Sequence, residues 1–195
     1  MPDAADIQTT PFPPLERERL VALIAKRSFA TGEFTLASGR TSRFYFNLKP
    51  TLMHPEGAYL CARGLLAQLE PSDADYAGGL EMGAVPLLGA MAALSHIAGA
   101  PVATFFVRKA PKDHGTRLGV EGLAPTESLA GKRVVIIDDV TTTGGSTVKA
   151  IEAARAEGAT VQRALSIVDR DEGAAENLAA IGVTLGSVLS VRDFA

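Results

Sequence analysis

Asp138 and Asp139 stand together at the end of the apolar run Val134-Val135-Ile136-Ile137 and are followed by Val140-Thr141-Thr142-Thr143-Gly144-Gly145-Ser146-Thr147. Four branched apolar residues in a row read as a strand buried on both faces, so the acids and the loop emerge at the carboxyl end of a parallel sheet, where ligands bind. Gly144 and Gly145 let backbone N–H groups come close to a ligand, and the threonine and serine hydroxyls add donors. The positive end of the helix that follows favours an anion. This chemistry suits a phosphate monoester. A Walker-B-like strand would also end in acids, but the chain has no G-x-x-x-x-G-K-[ST] to accompany it. Ser146 or Thr147 could cap a helix, yet five hydroxyls and two glycines in the seven residues 141–147 exceed what a cap needs.

A second segment, Arg108-Lys109-Ala110-Pro111-Lys112-Asp113-His114-Gly115-Thr116-Arg117, sets four cationic side chains and a histidine against one acid. It follows a strand-like run and continues through Gly119 and Gly122 as a long polar segment, a length typical of lids and binding loops as well as of solvated surface loops.

The elements that must position these groups form an α/β pattern. Leu15–Arg27 has helical amphipathicity, and Glu33–Leu36 and Phe44–Leu48 read as short strands joined by turn residues, an antiparallel element at the N-terminus. From Pro55 onward helices and strands alternate. Helices are expected near 56–69, 86–97, 146–157 and 174–180, and strands near 76–80, 102–107, 133–140, 161–168 and 184–189. Such alternation implies a parallel sheet with helices on both faces. One domain over 1–195 is expected, with residues 1–54 as N-terminal helix and hood, 55–195 as α/β core, a mobile loop at about 108–122 and a mobile proline-rich lead-in over the first dozen residues.

A net charge of −3 argues against general nucleic-acid binding. The single cysteine, Cys61, cannot form an internal disulfide, and the reading is of a buried thiol in a cytoplasmic protein. No apolar stretch is long enough for a membrane span. His54, His96 and His114 lack the spacing of a zinc cage, so no protein metal site is expected.

With these residues in view, Asp138-Asp139-Val140-Thr141-Thr142-Thr143-Gly144-Gly145-Ser146 resembles the motif that binds 5-phosphoribosyl-1-diphosphate (PRPP) in the type I phosphoribosyltransferases. In that family the paired acids contact the ribose hydroxyls and the loop cradles the 5-phosphate. Arg108-Lys109-x-x-Lys112-Asp113-His114-Gly115 resembles the catalytic loop of the orotate phosphoribosyltransferases. Phe34 to Arg40 with Ser42 and Tyr45-Phe46-Asn47 is similar to their hood, where an aromatic pair lies against orotate. Val168-Asp169-Arg170-Asp171-Glu172-Gly173 is similar to the segment whose arginine binds the orotate carboxylate, a partner suited to a planar guanidinium.

The resemblance implies transfer of the phosphoribosyl group from PRPP to orotate, giving orotidine 5-phosphate and diphosphate. It assigns Lys109, Lys112, His114, Asp138 and Asp139 to catalysis. PRPP would be held by these five, by Arg108, by 140–146 and by Glu81, Met82 and Gly83; orotate would be held by Tyr45, Phe46, Thr142 and Arg170. It further implies Mg²⁺ carried mainly by PRPP and water, and a homodimer whose catalytic loop reaches the neighbouring subunit. Many members carry lysine where Ala37 and Met82 stand here, so the 79–86 loop is expected to hold diphosphate through backbone N–H groups at Gly83 and the following helix start. A purine phosphoribosyltransferase and a PRPP-sensing regulator are the rival readings; Arg170 and the hood oppose the first, the cationic loop and negative net charge the second.

Overall fold

The computed structural model describes residues 11–35, 41–69, 74–110 and 119–194. Thus most of the proline-rich lead-in, the hood turn with Ala37, and Lys112, His114 and Arg117 of the cationic segment lie outside the described residues.

The chain begins with helix α1 (Pro14–Arg27) and a two-stranded antiparallel sheet, β1 (Phe29–Thr35) with β2 (Thr41–Phe46). Both strands start earlier than the periodicity predicts. The Phe29↔Phe46 pairing begins straight after the helix, and an irregularity between Thr31 and Phe34 lets Gly32 lie within the strand instead of ending it. A single helical turn, α2 (Lys49–Leu52), follows and was not expected. Then come α3 (Pro55–Leu66), β3 (Tyr76–Leu80), α4 (Ala84–Ile97), β4 (Ala103–Val107), β5 (Val120–Glu121) and β6 (Arg133–Thr141). The chain closes with α5 (Gly145–Ala156), β7 (Thr160–Asp169), α6 (Ala174–Ala179), β8 (Thr184–Ser190) and a 3₁₀ turn at Val191–Phe194.

The main sheet has the order β5-β4-β3-β6-β7-β8 and is parallel except at one edge, where β5 runs antiparallel to β4. That two-residue edge lies inside the segment expected to be loop, and its pairs Phe106↔Glu121 and Val107↔Val120 make a stem for the loop between them.

Period-2 alternation on β6 divides the core. Val135 and Ile137 join the cluster with Leu20, Ile24, Leu60 and Leu87 from α1, α3 and α4. Val134 and Ile136 face Ala150, Ile151 and Leu178 of α5 and α6. All four β6 residues are at most 2% exposed, the double-faced burial expected of a central parallel strand. Arg17 grips Asp193 with a 2.8 Å bond to each carboxylate oxygen, which fastens α1 to the C-terminal turn.

The order reverses direction between β3 and β6, since β4 lies outward on one side and β7 and β8 on the other. A crevice at the carboxyl ends of β3 and β6 follows from that switch. Gly79 keeps it narrow: a side chain there would collide with the Ile137 carbonyl of β6 and with Ala84.

Candidate active site

The crevice holds a cavity of about 280 Å³ lined by Leu80, Glu81, Met82 and Gly83 after β3, Asp138 and Asp139 of β6, Ser146 and Lys149 of α5, Lys109 after β4, and Lys49 of α2. Three of these, Leu80, Lys49 and Lys149, are not among the site residues read from sequence, and two of the three are charged. Neither lysine sits in a motif, and an exposed lysine gives no local signal of what it faces.

Asp138 is buried at 6% exposure. Its Oδ2 accepts hydrogen bonds from Ser146 Oγ at 2.6 Å and Thr147 Oγ1 at 2.8 Å, and its Oδ1 accepts from the Asp139 amide at 3.0 Å. Burial, and then the neighbouring Asp139 charge, push its carboxyl up to about 7 against the pull of those three donors. Asp139 is half-buried, and its Oδ1 accepts from the Val140 amide at 3.0 Å. The carboxylate lies over Gly83, where a Cβ would stand 2.5 Å from Oδ1. The loop can meet the acid only because position 83 has no side chain. The same charge, after burial, helps raise the Cys61 thiol to about 12, so that cysteine is an inert packed residue as read from its context.

The 141–147 loop divides its hydroxyls differently from the expectation. Thr141 is buried, 3.3 Å from Ser166 Oγ and donating to Asp169 Oδ1 at 3.2 Å, while Ser146 and Thr147 are engaged by Asp138. A buried carboxylate needs donors, and the nearest hydroxyls supply them. Gly144 takes φ +79° as the residue before α5, with no side-chain cap. The first helical bond runs from Val148 N–H to the Gly144 carbonyl at 2.8 Å, so the amides ahead of it point outward from the helix start. The groups left open at the helix start are those amides together with Thr142 and Thr143, which are half-buried and exposed.

The stem fixes the root of the cationic loop. The Arg108 amide donates to the Gly119 carbonyl at 2.9 Å and the Lys109 amide to Glu81 Oε1 at 2.7 Å. Lys109 therefore lines the cavity of its own chain, whereas the Arg108 guanidinium sits 4.0 Å from Glu121 on the stem. Glu81 joins the two loops, and the peptide between it and Met82 is cis.

On the far side, the Arg170 amide donates to the Thr141 carbonyl at 3.0 Å, which sets Arg170 beside the start of the loop. Its guanidinium is buried, lies 5.5 Å from the Phe44 ring centroid and donates to Glu172 Oε1 from Nε at 2.9 Å. Tyr45 and Phe46 do not share a face, because successive strand residues point oppositely. Tyr45 is 45% exposed beside Phe34, whereas Phe46 is 7% exposed among Phe29, Phe44 and Phe194. Among the described residues, no three of His, Cys, Asp and Glu gather into a metal-binding group.

A family model described as a phosphoribosyl transferase domain matches residues 78–185. The orotate phosphoribosyltransferase of Bradyrhizobium sp. (strain ORS 278) is 57% identical over 178 residues, covering 91% of this chain and 96% of that protein. The chain belongs to the orotate phosphoribosyltransferase family. The namesake protein of Aquifex aeolicus (strain VF5) is 39% identical over 182 residues, covering 92% of this chain and 97% of that protein. The crystal structure of the Mycobacterium tuberculosis H37Rv orotate phosphoribosyltransferase in complex with PRPP superposes with a TM-score of 0.71 at 31% identity, covering 91% of this chain and 98% of that one. The switch-point cavity and its paired acids are thus a feature of an orotate phosphoribosyltransferase fold.

Proposed function

We propose that the cavity at the ends of β3 and β6 is where PRPP and orotate react, with the residues below in the roles stated. As an orotate phosphoribosyltransferase, the chain transfers the phosphoribosyl group of PRPP to orotate in pyrimidine nucleotide synthesis. The carrying observation is the convergence of Asp138, Asp139, Ser146 at the α5 start and Lys109 on one cavity at the switch point.

The 5-phosphate sits against the amides of 142–146, with the hydroxyls of Thr142 and Thr143 beside it. Asp138 and Asp139 accept hydrogen bonds from the ribose hydroxyls and so hold the anomeric carbon towards the base. Glu81, Met82 and Gly83 offer the diphosphate their backbone, and Lys109 places an ammonium where negative charge grows on the leaving oxygen. Arg170, next to Thr142, receives the orotate carboxylate, and Tyr45 covers the ring while Phe46 braces it from the core side. The paired acids suit Mg²⁺ as hard oxygen ligands, but form no cage with other residues described; the ion would be held mainly by PRPP and water, with Asp138 and Asp139 as the nearest protein oxygens. When bound, it neutralises diphosphate charge.

The working unit we propose is a cytoplasmic homodimer. Since Lys109 lines its own chain's cavity and the Arg108 guanidinium lies against Glu121 of its own stem, the residues reaching the neighbouring site are Lys112 and His114.

The test is a coupled assay of PRPP consumption with Mg²⁺ and orotate, uracil or hypoxanthine. Orotate should be used and uracil poorly, because losing a buried charge contact costs roughly 2–5 kcal/mol. Equal turnover of uracil and orotate would overturn the role of Arg170. Mixed dimers of Lys112→Ala, His114→Ala chains with Asp138→Asn, Asp139→Asn chains should recover activity, and mixtures no better than either parent would refute sharing.

A further inference from the structure

Three ammonium groups from three separate elements line the cavity: Lys49 at the start of α2, Lys109 after β4, and Lys149 in α5. The cavity also holds the carboxylates of Glu81, Asp138 and Asp139. Among the described residues, none of the three lysines forms an ion pair with them or with any other acid. The acids instead accept from the protein's own donors: Asp138 from two hydroxyls and an amide, Asp139 from the Val140 amide, Glu81 from the Lys109 amide.

Like charges gathered around one cavity repel one another unless an anion lies between them. A phosphate monoester at the α5 start already has amides to receive it, so the cations suit a second, more highly charged group. Met82, 60% exposed in the lining, contributes no charge to it.

Lys49 and Lys149 differ from Lys109 in how they are held. Lys49 follows fully buried Leu48, and α2 is pinned by Leu52 at 3% exposure. Lys149 precedes Ala150 and Ile151, both fully buried. Their stems thus rise from fixed helical positions tied to the two separate core clusters on opposite sides of the sheet, whereas Lys109 is at the root of a loop.

We propose that Lys49 and Lys149 are further binding residues of this enzyme, which grip the diphosphate of bound PRPP and of released diphosphate from two sides. The inference rests on the PRPP reading of the cavity. Cations on fixed elements bind the diphosphate before and during bond breaking alike, so they act on KM and on product affinity more than on kcat.

The test compares the unmodified protein with Lys49→Met, Lys149→Met, the double variant, and a Lys49→Arg, Lys149→Arg rescue. Lys132→Met, at the opposite end of β6, is the control. Calorimetric titration with inorganic diphosphate and Mg²⁺ is combined with steady-state kinetics and thermal unfolding. Each single methionine variant should weaken diphosphate binding and raise KM for PRPP about tenfold, the double variant more. The KM for orotate, kcat and the thermal midpoint should stay near the parent's, and the arginine pair should restore most of the affinity. A double variant that binds diphosphate and PRPP like the parent, while orotate turnover continues, overturns the inference and leaves the function standing. Weakened binding with a lowered thermal midpoint, not rescued by arginine, assigns the lysines to the fold and also overturns it. A parent protein that neither binds PRPP nor uses orotate refutes the function and the inference together.

Discussion

Replacing Asp138 by asparagine removes a charge that the fold holds at a cost. The carboxyl lies at 6% exposure beside Asp139, and its pKa is raised from the ordinary carboxyl value of 3.8 to about 7, by burial first and then by the neighbouring charge. A proton therefore binds more tightly to the folded chain than to the unfolded one. The stability this group contributes is complete below about pH 4 and is lost as pH rises towards and through 7. Each unit corresponds to about 1.36 kcal/mol, so the whole window spans on the order of 4 kcal/mol, of which roughly 3 kcal/mol falls between pH 5 and pH 8. Asparagine keeps the shape without the titration: its carbonyl can accept from the Asp139 amide, and Ser146 and Thr147 can rotate to accept from its NH₂. Urea unfolding of both proteins at pH 5 and pH 8 should therefore show the variant gaining on the parent by roughly 3 kcal/mol across that interval, with unchanged m-values. PRPP turnover should fall in the same variant. If parent and variant lose stability in parallel from pH 5 to pH 8, the argument for a buried carboxyl strained by its neighbour is refuted.

Gly83→Ala would set a methyl 2.5 Å from Asp139 Oδ1 and 2.7 Å from its Cγ; KM for PRPP should rise at least about tenfold, while the thermal midpoint falls by no more than about 4 °C, and a normal KM would refute the close approach. Arg170→Gln removes the guanidinium bonded to Glu172, a carboxylate 23% exposed, and the contact with Phe44, so chemical unfolding should show a loss of about 1–3 kcal/mol and kinetics should show poorer discrimination of orotate from uracil. Chelation of divalent cations with EDTA should abolish turnover yet leave the thermal midpoint unchanged, because the described residues form no metal cage; a large drop in the midpoint would reveal a structural ion.

The centre of the site was legible because its signal is local. Val134 to Ile137 is a run that only a strand covered on both faces can use, the acids come next, and Gly144 and Gly145 open a helix; no distant contact is needed to read that order. The root of the cationic loop was legible for the same reason, as charge density in one short segment. Boundaries failed where pairing overrode pattern. Phe29 to Thr31 lie between the expected helix end at Arg27 and Gly32 and carry too short a pattern to be assigned, yet Phe46 pairs with Phe29 across the hood sheet. Val120–Glu121 is too short for any periodicity and becomes a strand only because β4 presents an open edge.

By itself the sequence determined the alternating α/β order, the two acids at a strand end with the hydroxyl- and glycine-rich loop after them, the cationic segment from Arg108 to Arg117 and the family these spell out, all properties carried by neighbours in the chain. Tertiary structure alone decided which of those groups stay open to solvent and which are buried. It turned Phe46 inward and Tyr45 outward, spent the hydroxyls of Ser146 and Thr147 on a buried carboxylate, and laid Gly83 against Asp139. It also brought Lys49 and Lys149 to one cavity from helices on opposite sides of the sheet. Such meetings arise where the strand order reverses and both helical layers converge on the carboxyl edge, a geometry that depends on crossovers between segments far apart in the chain.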